Sequence, residues 1–157
     1  MTTAEKLAAT RNYDQLLIEI NSLITGENNL MANLGNILAS IKYTMKWFWV
    51  GLYKVEENEL ILFMFQGPHA CTRIKKGIGV CGKAWQENRT IVVDNVHEFE
   101  GHIACSALSK SEIVLPIRNN NNEVKYVLDI DSISYADFNN YDALELQKVA
   151  TVIEQLI

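Results

Sequence analysis

Four consecutive asparagines, Asn119 to Asn122, stand between two runs suited to extended backbone, Glu112 to Ile117 and Val124 to Asp131. Asparagine tolerates turn conformations, whereas the flanking valines, isoleucines and leucines pack well on a pleated surface. The segment predicts an antiparallel hairpin, and a hairpin sets register outward from its turn. If Arg118 pairs with Glu123, paired residue numbers keep a constant sum and Glu112 falls opposite Asp129. Side chains alternate along a strand, so Asp129 and Asp131 point the same way. Directly opposed residues also share a face. Glu112, Asp129 and Asp131 are therefore expected on one patch near the open end of the hairpin.

Like charges opposed across a sheet are destabilising, which a purely structural role explains badly. A one-residue slip in pairing, or a solvated outer face, would remove the conflict. A real cluster has two consequences. It attracts a cation, such as the ammonium of a free amino acid, and it raises at least one carboxyl pKa so that a shared proton is held near neutral pH.

Upstream, Trp47 to Val55 and Leu60 to Phe65 are β-branched or aromatic runs joined by Glu56-Glu57-Asn58, and Thr90 to Val93 predicts a further strand. By alternation Trp47, Trp49, Gly51 and Tyr53 share a face, which serves either a ligand pocket or the core. Both ends read as helix. Tyr13 to Ile24 stops before Gly26, and Leu30, Leu34, Ile37, Leu38 and Ile41 recur at steps of three and four. A short helix is expected from Gly79 to about Asn88. A last one follows the N-cap Asn139, with Leu146, Val149, Ile153 and Leu156 on its apolar face. Helices flanking antiparallel strands describe an α+β fold, and 157 residues predict a single domain over 1–157. Its long loop, Asp94 to about Lys110, contains a cysteine, and loops of that length in compact domains usually carry function.

Charge and cysteine content narrow the function. The net charge is −5 and Lys75-Lys76 is the only basic doublet, so no nucleic acid is expected as a partner. No stretch approaches the roughly 18 apolar residues of a membrane span. Met1-Thr2-Thr3-Ala4-Glu5-Lys6 lacks the basic-then-apolar pattern of a secretory leader, so the expected compartment is cytoplasmic. There, the three cysteines are reactive thiols, metal ligands or buried bystanders rather than a structural framework. Cys71 follows Gly67-Pro68-His69-Ala70, Cys81 lies in Gly79-Val80-Cys81-Gly82, and Cys105 ends Gly101-His102-Ile103-Ala104-Cys105. A helix start at Cys81 would favour its thiolate. His69, His97 and His102 are near, yet no Cys-x-x-Cys spacing supports structural zinc. Gly77-x-Gly79-x-x-Gly82 matches the dinucleotide fingerprint literally, but Arg73-Ile74-Lys75-Lys76 precedes it in place of a buried parallel strand. No cofactor and no metal are expected.

Taken together, these residues resemble those of the free methionine-R-sulfoxide reductases of bacteria and unicellular eukaryotes. The resemblance runs from about Trp49 to Asp131. It is carried by Trp49-Val50-Gly51-Leu52-Tyr53, the Gly-x-Gly-Val-Cys-Gly run ending at Gly82, Gly101-His102-Ile103-Ala104-Cys105, Ser111-Glu112-Ile113-Val114 and Leu128-Asp129-Ile130-Asp131-Ser132. It implies a GAF domain, an antiparallel sheet with the N- and C-terminal helices packed on one side. It implies Cys105 as the catalytic cysteine, and Cys71 and Cys81 as the two that resolve it or relay oxidation. Glu112, Asp129 and Asp131 match the acidic residues of the substrate pocket, and Trp49 and Tyr53 its aromatic wall. Two positions depart from the family pattern. Pro68-His69 precede Ala70-Cys71 where proline directly before alanine is usual, and Trp85 stands where a small residue is usual.

The chemistry so implied follows the oxidation ladder of sulfur. The Cys105 thiolate attacks the sulfoxide sulfur while Glu112 or Asp131 protonates the departing oxygen, and Cys71 or Cys81 closes a disulfide that thioredoxin then reduces. The alternative is a non-catalytic GAF module sensing a small metabolite or redox state, which has no need of Cys105 with a second thiol in reach. A homodimer through the Tyr13 and Leu30 helices and burial of those helices within one chain both fit the pattern.

Overall fold

Alternation along the central strands sends Val50 and Leu52 to one face of a sheet and Trp49 and Tyr53 to the other, so two hydrophobic cores form back to back. The computed structural model describes residues 10–103 and 105–157; the segment Met1 to Lys6, and Ala104 within the Gly101 to Cys105 run, lie outside them. In chain order the elements are α1 (Tyr13–Ile24), α2 (Leu30–Met45), β1 (Trp49–Glu56), β2 (Glu59–Gln66), β3 (Arg73–Lys75), α3 (Gly79–Glu87), β4 (Ile91–Val93), a 3-10 turn (Val96–Glu98), β5 (Ser111–Arg118), β6 (Val124–Ser132) and α4 (Asn140–Glu154). Six strands form one sheet in the order β3-β2-β1-β6-β5-β4, with every pairing antiparallel.

Helices α1, α2 and α4 cover the Val50 face. Their buried side chains include Leu16 and Ile20 from α1, with Leu34, Ile37, Ile41, Leu146, Val149 and Ile153, whose spacing predicts α2 and α4. Each fully buried aliphatic contributes about 1.5–3 kcal/mol, so this core is the main source of stability. The helix starts are asparagine caps. Asn12 accepts from Gln15 N–H, Asn29 from Ala32 N–H, and Asn139 forms a reciprocal capping box with Asp142. A buried ion group ties α1 to α4: Arg11 pairs with both Asp137 and Asp142, and the Tyr13 hydroxyl donates to Asp142 at 2.6 Å.

Three expectations need correction. Strand β1 starts at Trp49, not Trp47. Lys46 closes α2 in a left-handed conformation, and Trp47, still ahead of the pleat, turns into the helix-side core against Phe138. Trp47 therefore does not share the face of Trp49. The last hairpin is displaced by two residues: Arg118 pairs with Val124 after an irregularity at Ile117, and Glu112 lies opposite Asp131, with Val114 opposite Asp129. The Asn119 side chain accepts the N–H groups of Asn121 and Glu123, which closes a loop one residue longer than the asparagine run. A two-residue displacement keeps every side chain on its face, so the three carboxylates still converge. Strand β3, with only three residues, carries no periodicity by which sequence could reveal it. Among the described residues no helix is long and apolar enough to cross a membrane.

Candidate active site

The sheet face away from α1, α2 and α4 forms the floor of a pocket. Strand β1 supplies Trp49 and Tyr53, β6 supplies Asp129 and Asp131, and β5 supplies Glu112. Trp49 lies opposite Asp131, and Gly51 opposite Asp129. Helix α3 brings Cys81 over this floor, and the loop after β4 brings His102, Ile103, Cys105 and Ser109. The empty volume is about 580 Å³, part of it open to solvent. Gly51 is required here, because a Cβ would collide with the Trp49 ring and with Phe65. The indole lies across the glycine, stacks on Phe65 with ring centroids 5.4 Å apart, and donates Nε1–H to the Pro68 carbonyl at 2.9 Å. The Pro68-His69 segment lies against this site: the Pro68 backbone carbonyl anchors Trp49, and both residues line the pocket.

Cys71 and Cys105, separated by 34 residues in sequence, are joined in a disulfide with a Cα–Cα distance of 5.3 Å. The Tyr53 hydroxyl donates to the Cys71 carbonyl at 2.8 Å, linking the disulfide to the floor. Cys81 is a free, buried thiol whose Sγ donates to Glu112 Oε1 at 3.8 Å. Trp85, one turn further along α3, is buried in the same core, with the Lys76 ammonium 4.9 Å from its ring centroid.

Electrostatically the floor is an acid store. Burial pushes Asp129 up to about 6, against hydrogen bonds with Glu112 and Cys81 that favour its charged form. Burial, then the charges of Asp129 and Asp131, hold Glu112 well above the usual carboxylate range. Burial and Asp129 do the same to Asp131, against a hydrogen bond with Ser109. No lysine or arginine among the described residues pairs with any of the three. Asp129 Oδ1 is buried with no hydrogen-bond partner, so the floor has an unmet demand for a donor. The same surroundings overturn the expected thiolate at Cys81. Its pKa is raised well above that of a free thiol by burial and then by Asp129, Glu112 and Asp131. A helix start is worth only about 0.3–1 kcal/mol to an anion, too little to offset burial among carboxylates.

The glycine run around Cys81 serves packing. A Cβ at Gly82 would strike the Lys75 carbonyl, and Gly77 N–H donates to the Gly82 carbonyl at 2.9 Å. Strand β3 before it is antiparallel to β2, so the βαβ setting of a dinucleotide site is missing. Ser109, 6% exposed and beside Asp131, belongs to the site without any signal in the sequence. Phe48 joins it too, one residue before β1 begins. His102 lines the pocket, its pKa lowered by burial and by His97, which stands edge-on to it with ring centroids 6.4 Å apart.

No protein-family model matches the chain. It is 51% identical over 143 residues to GAF domain-containing protein A of Dictyostelium discoideum, covering 90% of each chain. It is 39% identical over 149 residues to the free methionine-R-sulfoxide reductase of Escherichia coli (strain K12), covering 94% of this chain and 90% of that one. The solved structure of free methionine-R-sulfoxide reductase from Neisseria meningitidis in complex with its substrate superposes with a TM-score of 0.89. Identity is 45%, over 95% of this chain and 89% of that one. Similar to these proteins along nearly its whole length, the chain belongs to the free methionine-R-sulfoxide reductase family and has the GAF fold.

Proposed function

We propose that the chain, acting as one domain, reduces free L-methionine-(R)-S-oxide to L-methionine through a cysteine sulfenic acid and a disulfide. The observation that carries this reading is the Cys71–Cys105 disulfide at the edge of a pocket whose carboxylate floor lacks a donor. Cys105 lines the pocket, so it is assigned as nucleophile and Cys71 as its resolving partner.

In the first step the Cys105 sulfur takes the sulfoxide oxygen. The sulfoxide is reduced to thioether, the Cys105 thiolate is oxidised to sulfenic acid, and a carboxyl of Glu112 or Asp131 supplies the proton the oxygen needs. In the second step the Cys71 thiol displaces hydroxide from that sulfenic acid, forming the disulfide and releasing water. A dithiol donor of the thioredoxin class then exchanges with the disulfide and restores both thiols. That cycle runs in a reducing cytoplasmic compartment and requires no metal or organic cofactor.

Substrate recognition follows from the floor. The ammonium of a free amino acid supplies the donor that Asp129 Oδ1 lacks, whereas a peptide-bound residue brings only a neutral amide. Trp49 and Tyr53 form the wall for the S-methyl group and so select the epimer. Pairing of two chains into a homodimer would use the outer faces of α1 and α2, where Ile18, Met31 and Tyr43 are exposed. Sedimentation tests that part alone. The assignment of Cys105 is tested by single-turnover methionine release from the reduced protein. Cys105→Ser should release none, and full release by that variant would move the nucleophile to Cys81.

A further inference from the structure

The floor contains three ligand-type atoms of a kind the reductase cycle does not need together. Cys81 Sγ and one carboxylate oxygen each of Glu112 and Asp129 lie within 4.8 Å of one another, and all three residues are buried. Zinc binds sulfur at about 2.3 Å and carboxylate oxygen at about 2.1 Å, so a tetrahedral site puts these atoms about 3.6 Å apart. Cys81 Sγ and Glu112 Oε1 already stand at 3.8 Å. The third atom comes into range with side-chain movement of about 1 Å. Independently, Asp129 is only 6% exposed and its Oδ1, at the pocket, has no partner. An orphaned buried carboxylate oxygen of this kind is met by a donor or by a cation.

We infer that Cys81, Glu112 and Asp129 form a binding site for a thiophilic divalent cation of the zinc class, which excludes the substrate and so makes the reductase metal-sensitive. The inference rests on the substrate assignment above only for its regulatory consequence; the site itself rests on the three side chains. One sulfur and two oxygens, with an open fourth position toward the pocket, suit zinc or cadmium. Magnesium and calcium want six or more oxygens and gain nothing from sulfur. Binding exchanges the Cys81 thiol proton, and any proton held by the two carboxyls, for the cation; these protons leave to solvent and no residue is oxidised or reduced. Because Glu112 and Asp129 serve both occupants, cation and substrate compete.

The oxidised protein makes the test clean. Of the chain's three cysteines, Cys71 and Cys105 are then held in the disulfide and Cys81 is the single free thiol. Cadmium is the probe, because cadmium–thiolate bonds absorb in the ultraviolet. Titration of the oxidised chain should give a charge-transfer band that saturates at one equivalent and is displaced by zinc. Cys81→Ala should abolish the band. Asp129→Asn keeps the thiol and should weaken cadmium binding at least tenfold. In turnover assays zinc should raise the apparent KM for methionine sulfoxide and chelator should reverse it. Absence of a saturable band, or equal cadmium affinity in Asp129→Asn, overturns the site. Turnover measured in chelator separates this from the reductase reading. A chain that binds cadmium yet reduces no methionine sulfoxide fails that reading alone, and one that turns over without the band fails only the metal site.

Discussion

The Tyr53 hydroxyl, rooted in the central strand of the pocket floor, donates a 2.8 Å hydrogen bond to the carbonyl of Cys71. The cysteine's loop is thereby held against a central strand of the sheet, with Cys71 within disulfide reach of Cys105. Tyr53→Phe keeps the ring and removes only this bond, at a stability cost of about 1 kcal/mol. We predict that the first methionine is released at nearly the wild-type rate while disulfide formation slows. Rapid-quench measurement of methionine and of free thiols on the same samples separates the two steps. Equal slowing of both would show that the hydroxyl acts on the substrate instead.

The assignment of Cys71 as resolving thiol predicts a stalled intermediate. Cys71→Ser should release about one methionine per chain and then accumulate Cys105 sulfenic acid, with no intramolecular disulfide. Intact-mass analysis after a sulfenic-acid trapping reagent reads this directly. Cys81 is a poor substitute, since burial and three carboxylates keep it a thiol. Sustained donor-dependent turnover by Cys71→Ser would nevertheless hand it the role.

Stability should depend on pH through the acidic floor. Asp129 titrates near 6 in the folded chain against 3.8 in the reference state, so folding binds a proton between these values. A raised carboxyl pKa gives stability present below about pH 4 that is lost as pH rises through 6, roughly 3 kcal/mol for a shift of this size. Glu112 and Asp131, also raised by burial among like charges, add to the loss in the same direction. Asp129→Asn should therefore match or exceed wild type in stability above pH 7, in chelator-treated protein, while losing substrate affinity and rate. Urea unfolding at pH 5 and pH 8 beside a pH–rate profile checks both; marked destabilisation at pH 8 with normal kinetics would make Asp129 structural. Wild-type activity should decline at high pH as the shared proton is lost.

A fourth prediction concerns the helix layer. Arg11 bridges Asp137 and the fully buried Asp142, so Arg11→Ala leaves a buried carboxylate with its hydrogen bonds but without its charge partner. Removing one partner of such a pair costs about 3–5 kcal/mol. Equilibrium urea unfolding should show a loss of this order, with pocket chemistry in the remaining folded fraction unchanged. A loss below about 1 kcal/mol would mean that solvent reaches the group.

Much of this protein can be read along the chain, and the reason is periodicity. Apolar residues at steps of three and four locate α2 and α4, the stop before Gly26 bounds α1, and β-branched runs around Asn119 to Asn122 locate the last hairpin. A period of two puts Glu112, Asp129 and Asp131 on one face even though the assumed register is wrong by two residues, because side-chain direction repeats with that same period. Motif resemblance adds the cysteines and the family. Nothing local says that Trp47 leaves the face of Trp49, since a left-handed Lys46 at the end of α2 decides where the pleat begins. Nothing local brings Cys71 to Cys105 or places Ser109 beside Asp131; loop closure over the sheet does that. The character of Cys81 is decided at the same level. Its position at a helix start argues for a thiolate, and only the packed structure buries it among three carboxylates, which keep the proton on sulfur.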